Sequence, residues 1–446
     1  MRTTYCYRLM AVSPSPNNCT VIQCNLHHSQ TATVQLRKWL EANDTAVALI
    51  QEPWIGARGQ INGLSHLRGK LLSTTISDKP RTCIYYSNKL HIQPLTQFCS
   101  RDLCAVKLLA DAATGLPEVV LASVYMAETD VPPPQEMVQL INHCEQNGQH
   151  IVVATDSNAH HPLWGMELAN ERGKNLTEYL FTTNLQILNK GTTPTFVNKR
   201  SRTIIDLTLA SDGAANLVHD WHVSEEASLS DHRWIRFNLE TVIKVQQPKR
   251  NPRKTDRKIY TDKLHQSLEK PVAPGRLLDT AQIEIQVKEL TSNILKSYNS
   301  ACPLSDPAPR QGHQWWGPEL ERLRRRVRRH FNRAMNTCAD EDWENYKTAK
   351  SKLKKRIRFR STASWRGYCG NITSCAQANR VRKILANSNA SELGSIRKTN
   401  NTFTTSPEET ERTLLEAHFP GCRFVRDDRR EEMNYNTSTR NWRYAE

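Results

Sequence analysis

The sequence predicts an α/β layered fold with large mixed sheets over residues 20–240, followed by a basic, mostly helical C-terminal region. Three observations predict it. Short apolar runs rich in Val, Ile, Tyr and Thr alternate with helical periods up to about Glu240. Many strands with only a few helices between them call for sheets of mixed direction packed in layers. Past Glu240 the β-like runs give way to helical spacing in a chain dense in Lys and Arg.

Each element follows from its own pattern. Val21-Ile22-Gln23-Cys24 reads as a strand and Val34 to Leu40 as an amphipathic helical segment. Ala46–Ile50 is a continuous apolar run, hence a buried strand. Thr82–Tyr86, Cys104–Leu108 and Val119–Tyr125 are further strands. Pro132-Pro133-Pro134 then breaks the chain before a helix near Gln135–Asn147. Ile151–Ala154, Leu185–Leu188, Ile204–Leu209 and Trp234–Leu239 complete the strands. Gln246 to Arg257 is polar and basic, within a linker expected over 241–280. A basic helical region is expected over 281–391, with an apolar period through Ile283, Val287, Leu290 and Ile294. In it, Leu320–Met335 and Trp343–Phe359 read as two helices that could form a hairpin. Residues 1–19 read as a flexible N-terminus, and 392–446 as weakly structured.

Composition bounds the function. The 446 residues, 38% of them apolar, suit two or three domains with one substantial core. The net charge of +16 is unevenly spread: residues 1–240 hold 20 Lys+Arg against 22 Asp+Glu, net −2, which leaves +18 for residues 241–446. That asymmetry favours a polyanion partner, nucleic acid before a membrane surface, against the alternative of solvated helical faces. The twelve cysteines show neither Cys-x-x-Cys pairs nor Cys/His zinc spacing. Met1–Asn18 lacks the apolar core of a signal peptide, and no run is long enough to span a bilayer. An intracellular chain with reduced thiols and no membrane partner is expected.

The chemistry is carried by polar residues at the ends of strand-like runs: Asn25, Glu52, Asp156 and Asn158, Asp206, and Asp231-His232. Singly, each is a common cap or turn residue. In series they are what a magnesium-dependent phosphodiester hydrolase needs, because a hard cation takes carboxylate oxygens and the attacking water needs a nearby base.

These residues resemble the endonuclease/exonuclease/phosphatase superfamily of DNase-I-like nucleases, and within it the endonuclease domain of non-LTR (LINE-type) retrotransposons. The runs that carry the likeness are Asp156-Ser157-Asn158-Ala159-His160-His161-Pro162-Leu163-Trp164-Gly165, Arg172-Gly173 with Leu176, Leu188–Phe196, Ile205-Asp206-Leu207-Thr208-Leu209-Ala210-Ser211, and Ser230-Asp231-His232. The resemblance covers roughly residues 20–240. It implies a four-layered α/β sandwich, two packed mixed sheets flanked by helices.

It also implies roles. Glu52 would be the principal Mg2+ ligand (Mn2+ could substitute), with Asp231 near or in the metal shell. His232 would contact the scissile phosphate or help activate water, oriented by Asp206. Asp156 would position or deprotonate the water. Asn25 and Asn158 would supply neutral hydrogen bonds, and Tyr125 would touch the phosphate or leaving oxygen, unless it is simply a half-buried strand tyrosine. One departure stands out: His27 sits two positions after Asn25, where abasic-site endonucleases often carry an acid. Between two strands, Lys199, Arg200 and Arg202 lie on a segment that in the resembled domains forms a hairpin entering a DNA groove; the alternative is a solvated basic loop.

The implied activity is nicking of double-stranded DNA to leave a 3′-hydroxyl for reverse transcription, in the nucleus after cytoplasmic synthesis, with the element's RNA as a second partner. Abasic-site or phosphatase activity on the same scaffold, or a non-catalytic nucleic-acid binder acting through residues 310–360, are the competing readings. The Arg322–Arg329 and Lys352–Arg358 runs could be nuclear-localisation patches, nucleic-acid faces or solvated helical faces. Glu411–Cys422 resembles the lead-in to a reverse transcriptase, yet no Tyr/Phe-x-Asp-Asp polymerase signature is found, so the chain is expected to be a truncated copy, a fragment or a captured gene.

Overall fold

The computed structural model describes residues 17–57, 59–65, 67–74, 79–111, 113–243, 249–268, 280–305, 315–386, 394–419, 422–424 and 442–444. Expectations for residues 1–16, and for the linker at 244–248 and 269–279, fall outside them. Two compact units are formed: one by residues up to Lys244 together with those from Gln314, the other by Val245–His313.

In the first unit the elements run β1 (Asn17–Asn25), α1 (Gln30–Ala42), β2 (Val47–Gln51), β3 (Gly69–Leu72), β4 (Thr82–Ser87), β5 (Ile92–Pro94), β6 (Leu103–Leu108) and β7 (Val119–Tyr125). They continue α2 (Gln135–Gln146), β8 (His150–Asp156), α3 (Glu171–Leu180), β9 (Leu185–Ile187), β10 (Phe196–Val197), β11 (Arg202–Thr203), β12 (Asp206–Ser211), α4 (Asp212–Ala215), β13 (Val218–Val223) and β14 (Ile235–Thr241). Two six-stranded sheets result, ordered β13-β14-β1-β2-β4-β3 and β5-β6-β7-β8-β12-β9. Each is antiparallel apart from one parallel pair, β1 with β2 and β7 with β8. The expected mixed sheets are present.

The apolar runs are continuous because both faces of the central strands are buried. Along β1 and β2, Val21, Val47 and Leu49 point inward to meet Val106, Leu121, Val152 and Ala154 of the other sheet. Their neighbours Ile22, Ala48 and Ile50 point outward and are covered by Leu36, Trp39 and Leu40 of α1. On the far side Val120, Ala122, Val153 and Leu207 are covered by Met137, Leu140 and Ile141 of α2 and Leu176 of α3. The stack is therefore helix, sheet, sheet, helix: four layers around an inter-sheet core.

Two buried amides cross that core. Gln23 donates to the carbonyls of Thr155 (3.2 Å) and Leu207 (3.1 Å), and Gln51 donates to Ser123 Oγ (3.0 Å) and the Ala154 carbonyl (3.1 Å). A buried amide is stable only when paired, so these bonds fix how the sheets slide over one another.

The second unit contains β15 (Lys249–Arg250), α5 (Arg257–Leu268), α6 (Thr280–Ala301) and β16 (Leu304–Ser305), with β15 and β16 antiparallel. Helix α5 lies in the stretch whose composition reads as linker. Further along, α7 (Pro318–Thr337) and α8 (Asp340–Gly370) form the expected helical hairpin, followed by α9 (Cys375–Ala386) and α10 (Pro407–His418). The hairpin is not a separate appendage. Val327, Phe331, Tyr346, Leu353 and Ile357 pack with Val34, Val197, Ala227 and Leu229 of the sandwich. The 392–446 segment also contributes: Lys107, almost fully buried, donates to Glu118 (3.0 Å) and to the Thr405 carbonyl (2.7 Å), and Ser406 caps α10 by accepting from the Glu409 amide (3.1 Å).

Candidate active site

The strand directions bring the polar series to one end of the sandwich. β1, β2, β7 and β8 finish at Asn25, Gln51, Tyr125 and Asp156, while β12 and β14, antiparallel to their neighbours, begin there. Register then sets the neighbours: Asn25 lies opposite Gln51, Tyr125 opposite Asp156, and Asp206 opposite Asp156. Backbone strain marks the same end. Glu52, His27, His28 and Asn158 have φ of 44°, 47°, 48° and 49°, the left-handed region that non-glycine residues adopt at a cost of order 1–3 kcal/mol each.

At the centre is a buried chain of polar contacts. His232 Nδ1 lies 3.0 Å from both Asp206 oxygens, which fixes the tautomer and aims Nε2 at Asp156, 3.9 Å from its Oδ2. Asn25 donates its amide to that same Asp156 Oδ2 at 2.8 Å, and its Oδ1 accepts from the His27 amide at 2.7 Å. Phe196 stands edge-on to the His232 ring at 4.9 Å. Thr195 Oγ1 accepts from the amides of Ile205 (3.1 Å) and Asp206 (3.0 Å), which locks the backbone that carries Asp206.

The electrostatics follow from this packing. Burial opposes a charged His232, but Asp206 and Asp156 outweigh it and raise the imidazole to about 9, so the ring is a cation at neutral pH. Burial lifts the Asp156 carboxyl well above the usual carboxylate range; the His232 cation pulls it down in part, and Asp206 pushes it up. Burial and the neighbouring Glu52 carboxylate hold the Tyr125 phenol protonated, facing Glu52. Arg81 lies 4.8 Å from the Tyr125 ring and is clamped to both oxygens of Asp102 at 2.5 Å.

The structure sorts the expected residues. Asn25, Asp156, Asp206 and His232 meet directly, and Tyr125 and Glu52 lie close enough to perturb them. Asn158 is turned to the backbone, donating to the Met126 carbonyl at 3.2 Å. Asp231, beside His232 in sequence, points another way: its Oδ1 takes Lys350 of α8 at 3.1 Å and its Oδ2 lies 3.9 Å from His27. The β10–β11 segment forms the expected small hairpin, but Lys199 pairs with Asp340 at 3.2 Å and Arg202 donates to the Met335 carbonyl at 3.0 Å, so both face α7–α8. Arg200 is exposed.

The contacts of several residues emerge only here, those of Arg172 and Gly173 from the matched runs among them. Arg172 donates to the carbonyls of Asn158, Ser157, Met126 and Glu128 at 3.0–3.2 Å and also to that of Asp130, pinning the loop behind Asp156. Gly173 is required because a Cβ there would stand 1.8 Å from the His160 carbonyl oxygen. Lys350 had no signal except its place in a basic helix, Arg81 had none beyond its polarity, and Thr195 was marked only as part of the matched Leu188–Phe196 run.

Among the described residues, Asp156, Asp206 and His232 place ligand-type atoms within 4.8 Å of one another. His232 Nδ1 is committed to Asp206, however, so this trio is first a hydrogen-bonded pair facing an acid. Asp156 Oδ1 is buried with no partner. An orphaned carboxylate oxygen near Glu52 fits a hard divalent cation or a water.

The protein family described as "Endonuclease-reverse transcriptase" matches residues 119–236. The probable RNA-directed DNA polymerase from transposon BS of Drosophila melanogaster is 28% identical over 239 residues, half of this chain and 25% of that protein. A putative 115 kDa protein of the type-1 retrotransposable element R1DM, also from Drosophila melanogaster, is 24% identical over 234 residues, covering 50% of this chain and 21% of its own length. The chain thus spans about a quarter of the length of the curated relatives it matches. Among solved structures, the endonuclease domain of TRAS1, a telomere-specific non-LTR retrotransposon, is 25% identical with a TM-score of 0.42, over 50% of this chain and 98% of that one. An AP endonuclease from Leishmania major is 13% identical, TM-score 0.40, over 50% and 88%. With residues 119–236 matched to that family and two stacked mixed sheets of the DNase-I-like kind, the chain is similar over its first half to the endonuclease part of retrotransposon proteins.

Proposed function

We propose that the sandwich is a Mg2+-dependent endonuclease that nicks double-stranded DNA by hydrolysis and leaves a 3′-hydroxyl. The observation that carries this reading is the buried Asp206–His232 pair aimed at Asp156, whose second oxygen has no protein partner.

The roles follow from the electrostatics. Asp156, its proton affinity raised by burial, is suited to take the proton of the attacking water. Asn25 holds the other Asp156 oxygen and so leaves Oδ1 free for the water. The His232 cation offers Nε2–H to a non-bridging phosphate oxygen as charge builds there, and Asp206 keeps the ring charged and oriented. Tyr125, protonated, is a further donor. Oxygen from water bonds to phosphorus, the P–O3′ bond breaks, and O3′ takes a proton from solvent. Glu52 would hold the metal, with Asp231 joining only if Lys350 lets go of it; a bound Mg2+ would stabilise charge on the phosphate oxygens. No described helix is long and apolar enough to cross a membrane. Chromosomal DNA as substrate would place the work in the nucleus, and the element's RNA is the second partner this reading implies.

Supercoiled plasmid tests it. Wild-type chain with Mg2+ converts plasmid to the open circle, and a polymerase extends the nick without prior end repair. Substituting Glu52→Ala or His232→Ala lowers the rate at least about 100-fold. Absence of nicking by the wild type, or equal rates in the variants, excludes the reading.

A further inference from the structure

The hairpin that closes over one side of the site carries an unexplained set of charges. Lys347, Lys350, Lys354 and Arg358 recur along α8 at intervals of three, four and four, so they form one stripe, about 6 Å apart per turn. Each follows by one position a buried residue of the docking face: Tyr346, Ala349, Leu353 and Ile357. The cationic stripe therefore runs along the border where α8 meets the sandwich. At Lys350 it touches Asp231, next to His232. A turn and two turns further on, Lys354 and Arg358 line a cavity of about 410 Å³ together with His27, His28 and Trp54. His27 and His28 lie two and three positions after Asn25, and Trp54 two after Glu52, so the cavity opens beside the reaction centre.

His27 and His28 face Asp231 and Glu52 at 3.9 Å, but the two cationic side chains of this cavity are unanswered. Several cations of the hairpin have carboxylates: Arg324 with Glu321, Arg333 with Asp342, Arg356 with Glu319, Lys350 with Asp231. Among the described residues Lys354 and Arg358 have none. Two unpaired cations one turn apart, two imidazoles and an indole in a hollow of nucleotide size form a donor set for a phosphodiester with an aromatic wall for its sugar or base.

We propose that this cavity is a DNA-strand subsite. Lys354 and Arg358 neutralise the phosphates next along the strand from the scissile one, and Trp54 packs against the nucleotide between them. Affinity there is independent of sequence, since the contacts are to backbone. The inference rests on the DNA-nicking reading for its substrate, and its test is separable from that reading.

The test uses the full chain and a fluorescent DNA duplex in EDTA, so that binding is measured without cleavage, and plasmid nicking with Mg2+ in parallel. K354E/R358E and the milder K354Q/R358Q are compared with R322E/R329E, which makes the same charge change on exposed α7 positions. The expected result is at least a tenfold loss of affinity for K354E/R358E, a smaller loss for the Gln pair, and a log–log salt slope shallower by about 1.8 in both. W54A should weaken binding with the slope unchanged. Loss of binding in these variants with no nicking by any protein, wild type included, would leave the subsite standing and remove the nuclease reading. Nicking by wild type with K354E/R358E binding no worse than R322E/R329E overturns the subsite alone. Faster nicking by K354E/R358E also overturns it, because α8 would then be a cover over the site rather than a wall of it. Tighter binding of an RNA of the same sequence assigns the cavity to RNA and overturns it as well.

Discussion

At the scale of single residues the site depends on side chains that do no chemistry. Thr195 Oγ1 accepts from two backbone amides and thereby sets the peptide before Asp206. Thr195→Val keeps the shape and removes the acceptor, leaving two buried donors unpaired at about 1–3 kcal/mol. The expected outcome is a fall in melting temperature together with loss of nicking; a variant as stable and as active as wild type would mean the hydroxyl is idle. The ionisable members of the site were legible in the sequence because each borders or sits within an apolar run: Glu52 just after β2, Asp156 at the end of β8, Asp206 at the start of β12. The bonds that Thr195, Gln23, Gln51 and Arg81 make were not. Their partners are distant in sequence and adjacent only after two sheets have stacked, and a buried amide leaves no periodic trace.

At the scale of elements the same logic separates what could be read from what could not. The strands of the sandwich were legible because burial on both faces makes them continuously apolar. Helix α10 was passed over although Ser406 and Glu409 spell a capping box. Helix α5 was passed over because none of its residues is buried, so it presents no apolar stripe. The helical hairpin was readable, but its docking was not: a cationic stripe bordering an interface has the same spacing as one facing water. Docking rests on apolar contact, and Leu353 is fully buried within it. Leu353→Ala is expected to cost about 2–5 kcal/mol in denaturant unfolding. A loss below about 1 kcal/mol would mean the hairpin is not packed as described.

An ionic clasp joins the same interface, with Glu321 of α7 reaching Lys38 of α1 and Arg324 at 2.6 Å. Burial alone would raise the Glu321 carboxyl, but Arg324 and Lys38 bring it down to about 2. A folded-state value below the unfolded one adds stability that is present above pH about 4.5 and is lost as pH falls toward 2. Wild type should therefore lose more stability than Glu321→Gln over that interval, and parallel acid curves would contradict the clasp.

At the scale of the whole molecule the charge asymmetry acquires a place. The first 240 residues, net −2, place Glu52, Asp156, Asp206 and Asp231 at one end of the sandwich, and the packed hairpin α7–α8 brings Lys350 against Asp231. An acidic reaction centre would repel a polyanion; a cationic border offsets that repulsion while leaving the carboxylates free for metal and water. The fold class and the catalytic end were legible from 240 residues of pattern. The border was not, because Asp231 and Lys350 are 119 positions apart and nothing local links them. The account turns on Asp156 as the proton acceptor beside a charged His232. The most direct test is the Mg2+-dependent nicking rate of Asp156→Asn, measured alongside its duplex affinity in EDTA and its melting temperature. The predicted result is a rate loss of about 10²–10⁴-fold with binding and stability kept; nicking at the wild-type rate would contradict the account.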